Sequence, residues 1–261
     1  MTKIIRLTRM SLKNGIKNRD TVIVMLFLLS YFSFVFPASS KSVIKAGEHV
    51  NMFAPFIHGI LRRDFQIIVL LGSIMMLGMR NAIEHNKINV LMRVEKKEWL
   101  ASEILTMVLT CIVYAGIVVF LTMIFYFPVM TPKACWGDGI DNYHFFAGRL
   151  KAIDTLYDKN VYLVFLESFI LVVLVTILLG EICLLCDRAG NNRMGPMICG
   201  ALIVWNLMVQ AADGIPDFVS PIGMLNGYTK GAFGFHALYL FILNLILTNI
   251  IWNVGKKNDA I

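Results

Sequence analysis

Charged residues are scarce in this 261-residue chain: Asp, Glu, Lys and Arg make up 16% of it, where a soluble domain carries about 25%. With 57% hydrophobic residues and a mean hydropathy of +0.70, that scarcity excludes an ordinary cytosolic enzyme. It equally excludes a disordered chain, which needs low hydrophobicity and high charge. No Gly-x-x-x-x-Gly-Lys-Ser/Thr phosphate loop occurs, so the chain is not expected to hydrolyse ATP itself. His-Glu-x-x-His and Gly-x-Ser-x-Gly are missing too, and the five histidines are scattered at 49, 58, 85, 144 and 236. The chain is therefore read as no enzyme, with no catalytic residue, no metal site and no cofactor of its own. Five cysteines do not make a disulfide framework. Cys183 and Cys186 have the spacing of redox and metal motifs, but they lie on an apolar run with no His or second pair nearby, and packing is expected of them.

What the chain has instead is long apolar runs. A helix needs roughly 20 apolar residues, about 17–25, to cross a bilayer. Splitting the sequence at its charges gives Thr21–Ser40, Phe65–Met79, Ile104–Pro132, Val161–Leu185, Gly195–Ala212 and Gly231–Gly255. The expected fold class is all-α: a polytopic membrane helical bundle with six transmembrane helices, forming a single transmembrane domain over residues 1–261. Phe65–Met79 is short at 15 residues, but its basic flanks can extend to the interface. Ile104–Pro132 is long enough to tilt or to break near Pro128.

Six spans put both termini on one side, and basic residues choose that side. With the N-terminus inside, fifteen Lys and Arg fall in inner segments and nine in outer ones, which favours cytoplasmic termini. Arg62 and Arg63 sit awkwardly on the outer side. The net charge of +7 reads the same way, as orientation and attraction to anionic membrane lipids. Nucleic acid is not an expected partner, because no basic soluble domain or recognition motif is present. The first run starts after 20 residues rich in Lys and Arg and is long for a signal core, so it is read as a span that stays in place.

Residues 1–20 interleave Ile5, Leu12 and Ile16 with Lys3, Arg6, Arg9, Lys13 and Lys17. That spacing suits an amphipathic helix lying in the membrane interface; the bland alternative is a basic leader that only fixes orientation. The segment 80–100 is read as cytoplasmic. There Ile83, Lys87, Ile88, Leu91 and Met92 can form a short amphipathic helix, its apolar side toward the bundle and its polar side toward solvent. It is either a docking element for a soluble partner or an ordinary solvated loop. The outer segments 41–64 and 131–160 are too short to fold as enzyme domains. Segment 213–230 is rich in Gly and Pro yet keeps Ile215, Phe218, Val219, Ile222, Met224 and Leu225. A partly apolar outer loop of this kind is expected to tuck back into the outer membrane face, against protein or a watery cavity.

Single residues carry further expectations. Glu167 lies within the fourth run, eight residues after Lys159, about 12 Å along a helix. A carboxylate there is costly, roughly 2.5–3.5 kcal/mol on insertion scales for Asp at mid-helix, so it either faces a translocation path or is an acid solvated at the interface or structurally paired. Glu181, six residues before Asp187, is expected to be wet at the cytoplasmic end. His236 is expected at the outer interface.

This layout resembles the permease subunit of type 2 ABC exporters. The local match lies in segment 80–100, where that family has an acid, an apolar pair and a Pro-Val-Ser-Arg-Arg-Glu-aromatic/aliphatic-Leu stretch. Glu84 stands for the acid and Leu91-Met92 for the pair, while Val94, Lys96, Lys97, Glu98, Trp99 and Leu100 match the rest. Arg93 replaces the usual Pro, and Glu95 the usual Ser. The resemblance implies that Glu84, Leu91, Met92, Arg93, Glu98 and Trp99 belong to a coupling helix seated on a separate ABC ATPase subunit, which binds the ATP. It implies a second permease copy, identical or similar, and a place in the bacterial cell membrane. It points to export of amphipathic or antimicrobial peptides, as in lantibiotic-immunity exporters; lipid or hydrophobic-drug export fits the same spans. The competing class is a self-sufficient secondary transporter or channel, which often shows internal repeats and paired intramembrane charges.

Overall fold

The computed structural model describes residues 2–16, 19–80, 95–133, 135–137, 158–191, 193–211, 219–226 and 232–257. Helices α1 (Thr2–Ile16), α2 (Arg19–Ala46), α3 (Ala54–Leu61) and α4 (Arg63–Arg80) come first. They are followed by α5 (Lys96–Tyr126), α6 (Val161–Arg188), α7 (Met194–Ala211) and α8 (Phe233–Lys257). Among the described residues the fold is all-α apart from strands β1 (Val50–Asn51) and β2 (Met130–Thr131), which pair in parallel with Val50 opposite Met130.

Helices α2, α4, α5, α6, α7 and α8 fall on the six apolar runs, α5 stopping at Tyr126, short of Pro132. Among the described residues three of them, α5, α6 and α8, are long and apolar enough to cross a membrane; the apolar parts of α2 and α7 are shorter, Thr21–Pro37 and Met194–Gln210. Boundaries follow local chemistry. Asn160 caps α6, its side-chain oxygen accepting from the Tyr162 N–H at 2.9 Å, a favoured arrangement at helix starts. α5 ends at Tyr126 and passes into a 3-10 turn holding Pro128, because proline cannot supply the N–H the next turn needs. Pro37 is carried inside α2.

Helix α6 is the hub, packing against α3, α4, α5, α7 and α8. Its inner stripe of Val164, Leu171, Val175 and Leu179 is fully buried. The outside of the bundle is apolar instead of polar: Phe34 is 88% exposed, and Phe241, Ile242, Leu245 and Ile246 leave a broad bare face on α8. Exposed apolar area on that scale is foreign to a water-soluble monomer and matches a lipid-facing wall. The chain is accordingly a membrane protein by composition and by surface.

One segment differs from the sequence expectation. The stretch 41–64, expected as a plain outer loop, contains α3, and Ala54 through Ile60 are all buried. Phe53 stacks on Phe165 at 3.9 Å, and Trp136 lies edge-on to His58 at 5.9 Å. Too short to span, this apolar run plugs the end of the bundle where β1 and β2 meet.

Candidate functional site

At the opposite end of the bundle the start of α5, the end of α6 and the end of α8 converge. Leu100, Leu184 and Ile251 form a small buried cluster there, packed by Ile104, Leu185 and Trp252. Gly255 lets α8 approach closely: a Cβ at that position would lie 2.9 Å from Leu100 Cδ2. Across this cluster Arg188 on α6 is ion-paired to Glu103 on α5, with side chains only 16% and 11% exposed. The Lys96 ammonium donates to the Lys256 carbonyl at 3.3 Å, and the Lys256 ammonium sits 5.1 Å from the Trp252 ring centre. An ion pair this sheltered is sensitive to loss of either partner, since the survivor is a stranded charge.

Of the residues expected to couple to an ATPase, Glu98 and Trp99 lie in the first turn of α5, directly beside this clamp. A carboxylate there also opposes the positive end of the helix dipole, so Glu98 has a local structural reason as well. Glu84, Leu91, Met92 and Arg93 lie outside the described residues. The sequence reading missed Glu103 and Arg188 as a pair. Glu103 lies four residues after Trp99, on the same side of α5, and Arg188 closes the charge-flanked end of α6; their partnership is a tertiary fact.

The two acids of α6 have different surroundings. Glu167 accepts an ion pair from Lys159, Nζ to Oε2 at 3.9 Å, so the basic residue eight positions earlier does reach it. Glu181 is not wet at the helix end: it is 1% exposed. The Thr248 hydroxyl of α8 donates to its Oε1, and one turn away the Asn244 amide donates to the Leu174 carbonyl at 3.1 Å. The expected depth was wrong because Glu181 faces α8 rather than the loop after Arg188. His236 is also buried, at 5% exposed, with Nδ1 3.2 Å from the Met224 carbonyl, because residues Ile222 to Leu225 pack into the core over it. Residues 213–218 and 227–230 of that loop lie outside the described residues.

The awkward basic pair is accounted for locally. Arg62 Nε donates to Asp64 at 3.0 Å, and the Tyr31 hydroxyl donates to the same carboxylate at 2.8 Å. Arg63 donates to the Gln210 carbonyl, whose side-chain amide donates to Gln66 at 3.1 Å. Arg63 thus ties α4 to α7, while Arg62 neutralises Asp64, through which Tyr31 of α2 is held to α4. Cys183 pairs with Cys199, Sγ to Sγ 3.7 Å, and not with Cys186; both thiols are free and buried.

Helix α1 lies along α5, at the level of Leu105 and Leu109. Thr8 is buried in that contact, and its hydroxyl donates to the Ile4 carbonyl at 2.9 Å. Comparison with protein-family models, with curated proteins and with solved structures returns no match.

Proposed function

We propose that this chain is the membrane-spanning permease subunit of an ATP-driven exporter of the type 2 ABC class. In this reading it lies in the bacterial plasma membrane with both termini cytoplasmic and shares the translocation path with a second, identical or similar permease. A separate ATPase subunit binds the ATP and pushes on segment 80–100. The observation that supports this best is the clamp of Glu103 and Arg188 beside Leu100, Leu184 and Ile251. Segment 80–100 leads directly into α5, so a push on it is passed through that clamp to α6 and α8 together. Packed helices respond as rigid, bistable bodies rather than by continuous bending. The six-span count, and Glu167 as a residue of the path, belong to the same proposal. Amphipathic peptides are the cargo it favours, since they can enter from the apolar wall.

The test is purification of the tagged full chain from its own membrane. An ATPase subunit that stays bound, and is lost in a Glu84→Lys/Leu91→Ala variant, supports the reading. Transport of an amphipathic peptide by the isolated chain in vesicles without ATP overturns it.

A second reading, a self-sufficient secondary transporter, draws on one observation: the buried Glu181 carboxylate between α6 and α8. Intramembrane carboxylates of this kind often belong to proton or ion pathways. Transport driven by a pH gradient in the isolated chain, and abolished by Glu181→Gln, is the outcome that selects it.

A further inference from the structure

Between α1 and α5 runs an open groove of about 580 Å³, within the range of roughly 300–1,000 Å³ typical of small-molecule sites. Its floor is apolar: Leu105 and Leu109 from α5, one turn apart, face Leu12 and Thr8 of α1. Thr8 spends its hydroxyl on its own helix, so it presents mostly its methyl group to the floor. Ile5, 54% exposed, continues the apolar surface along one edge. Arg9 and Lys13 lie on the same row as Ile5, at successive intervals of four, and both border the groove as exposed residues. They are separated by about 6 Å along the helix. No acidic residue occurs in α1.

The level of this groove in the bundle is fixed by α5. Leu105 and Leu109 follow Glu103 by two and six residues, which is about 3 and 9 Å further into the apolar part of the helix. A helix lying in the interface buries its apolar face about 5–10 Å into the boundary between headgroups and acyl chains. With α1 lying in the interface, as its amphipathic spacing implies, the apolar floor of the groove falls where acyl chains begin and its two cations where phosphates lie.

We infer that this groove is a binding site for one anionic phospholipid, its phosphate held by Arg9 and Lys13 and the upper part of an acyl chain laid over Leu105 and Leu109. The charge pattern selects the headgroup: two cations with no acid on the helix suit a net-negative lipid and give a zwitterionic one, whose own cation would face Arg9 and Lys13, no advantage. The site would pin α1 to the bundle through the lipid, and it does not depend on the exporter reading.

Native mass spectrometry of the full chain in mild detergent tests it, with phosphatidylglycerol and phosphatidylcholine titrated separately. The expected result is one tightly held phosphatidylglycerol, with phosphatidylcholine weaker. Each basic residue near an anionic headgroup is worth about 1 kcal/mol, so Arg9→Gln/Lys13→Gln should weaken phosphatidylglycerol binding about thirtyfold. Lys3→Gln/Arg6→Gln, which removes the same charge away from the groove, should change it less than threefold. Leu105→Trp, which fills the floor without altering charge, should also reduce occupancy. Equal losses in the two double variants, or unchanged binding in Leu105→Trp, would overturn the site. So would competition by inorganic phosphate at the lipid's own concentration, because the chain would then contribute nothing.

Discussion

Glu103 and Arg188 form an ion pair that joins the beginning of α5 to the end of α6, with both side chains largely withdrawn from solvent. Removing one partner leaves a buried charge uncompensated, a loss of about 3–5 kcal/mol in comparable pairs. Glu103→Gln and Arg188→Gln should each lower the thermal unfolding midpoint of the detergent-solubilised protein markedly. The charge-swapped Glu103→Arg/Arg188→Glu chain should recover much of it. Equal midpoints for wild type and both single variants would show that the pair fastens nothing.

Glu181 depends on Thr248 in the same manner across the α6–α8 contact. Thr248→Val deletes the donor and leaves the buried carboxyl without it, for a cost of about 1–3 kcal/mol. Glu181→Gln keeps an acceptor for that hydroxyl and should cost less than Thr248→Val. A thermal-shift comparison of the two variants decides the order.

Gly72 and Tyr114 test the packing of α4 on α5. The Tyr114 hydroxyl donates to the Val69 carbonyl at 2.5 Å, and a Cβ on Gly72 would collide with the Tyr114 hydroxyl oxygen. Gly72→Ala should destabilise by about 1–3 kcal/mol, as overpacking of a filled core does. Adding Tyr114→Phe removes the obstructing oxygen and should restore part of the loss. If Ala is tolerated alone, the two helices are not held at this distance.

His58 gives stability a pH dependence. Complete burial lowers its pKa to about 4 from the ordinary 6.5, because a charged imidazole cannot be solvated inside the α3 plug. The unfolded chain thus takes up the proton first as pH falls. Stability contributed by neutral His58 is whole above about pH 6.5, declines as pH drops, and is gone below about pH 4. The full difference is of order 3 kcal/mol. Unfolding midpoints measured from pH 7.5 to 4.5 should fall more steeply in wild type than in His58→Phe.

Glu167, paired with Lys159, separates a path role from a structural one. If it serves the path through its charge, Glu167→Gln should depress transport while leaving the unfolding midpoint within about 1 kcal/mol, the usual scale of an accessible ion pair. Transport unchanged across the pH range in that variant removes the path role.

Helical class and the positions of α5, α6 and α8, the helices long and apolar enough to cross a membrane, were legible in the sequence, because hydropathy acts over a whole run: Val161 opens α6 where its apolar stretch opens, and Pro128 follows the end of α5, where the missing N–H stops the helix. The helical period of apolar and basic residues over Lys3–Lys13 was legible too, and α1 is helical there; a place in the membrane interface is an expectation of the sequence alone. What no run of hydropathy contains is which side chain meets which across helices. Glu181 and Glu103 are each an acid inside or beside an apolar stretch. Only the rotation of α6 against α8 makes the first a buried partner of Thr248, and only the joining of two helix ends makes the second a partner of Arg188. The α3 plug escaped for a related reason: Phe56, Ile57 and Ile60 are too few to cross a bilayer, and burial by neighbours, not length, is what places them inside.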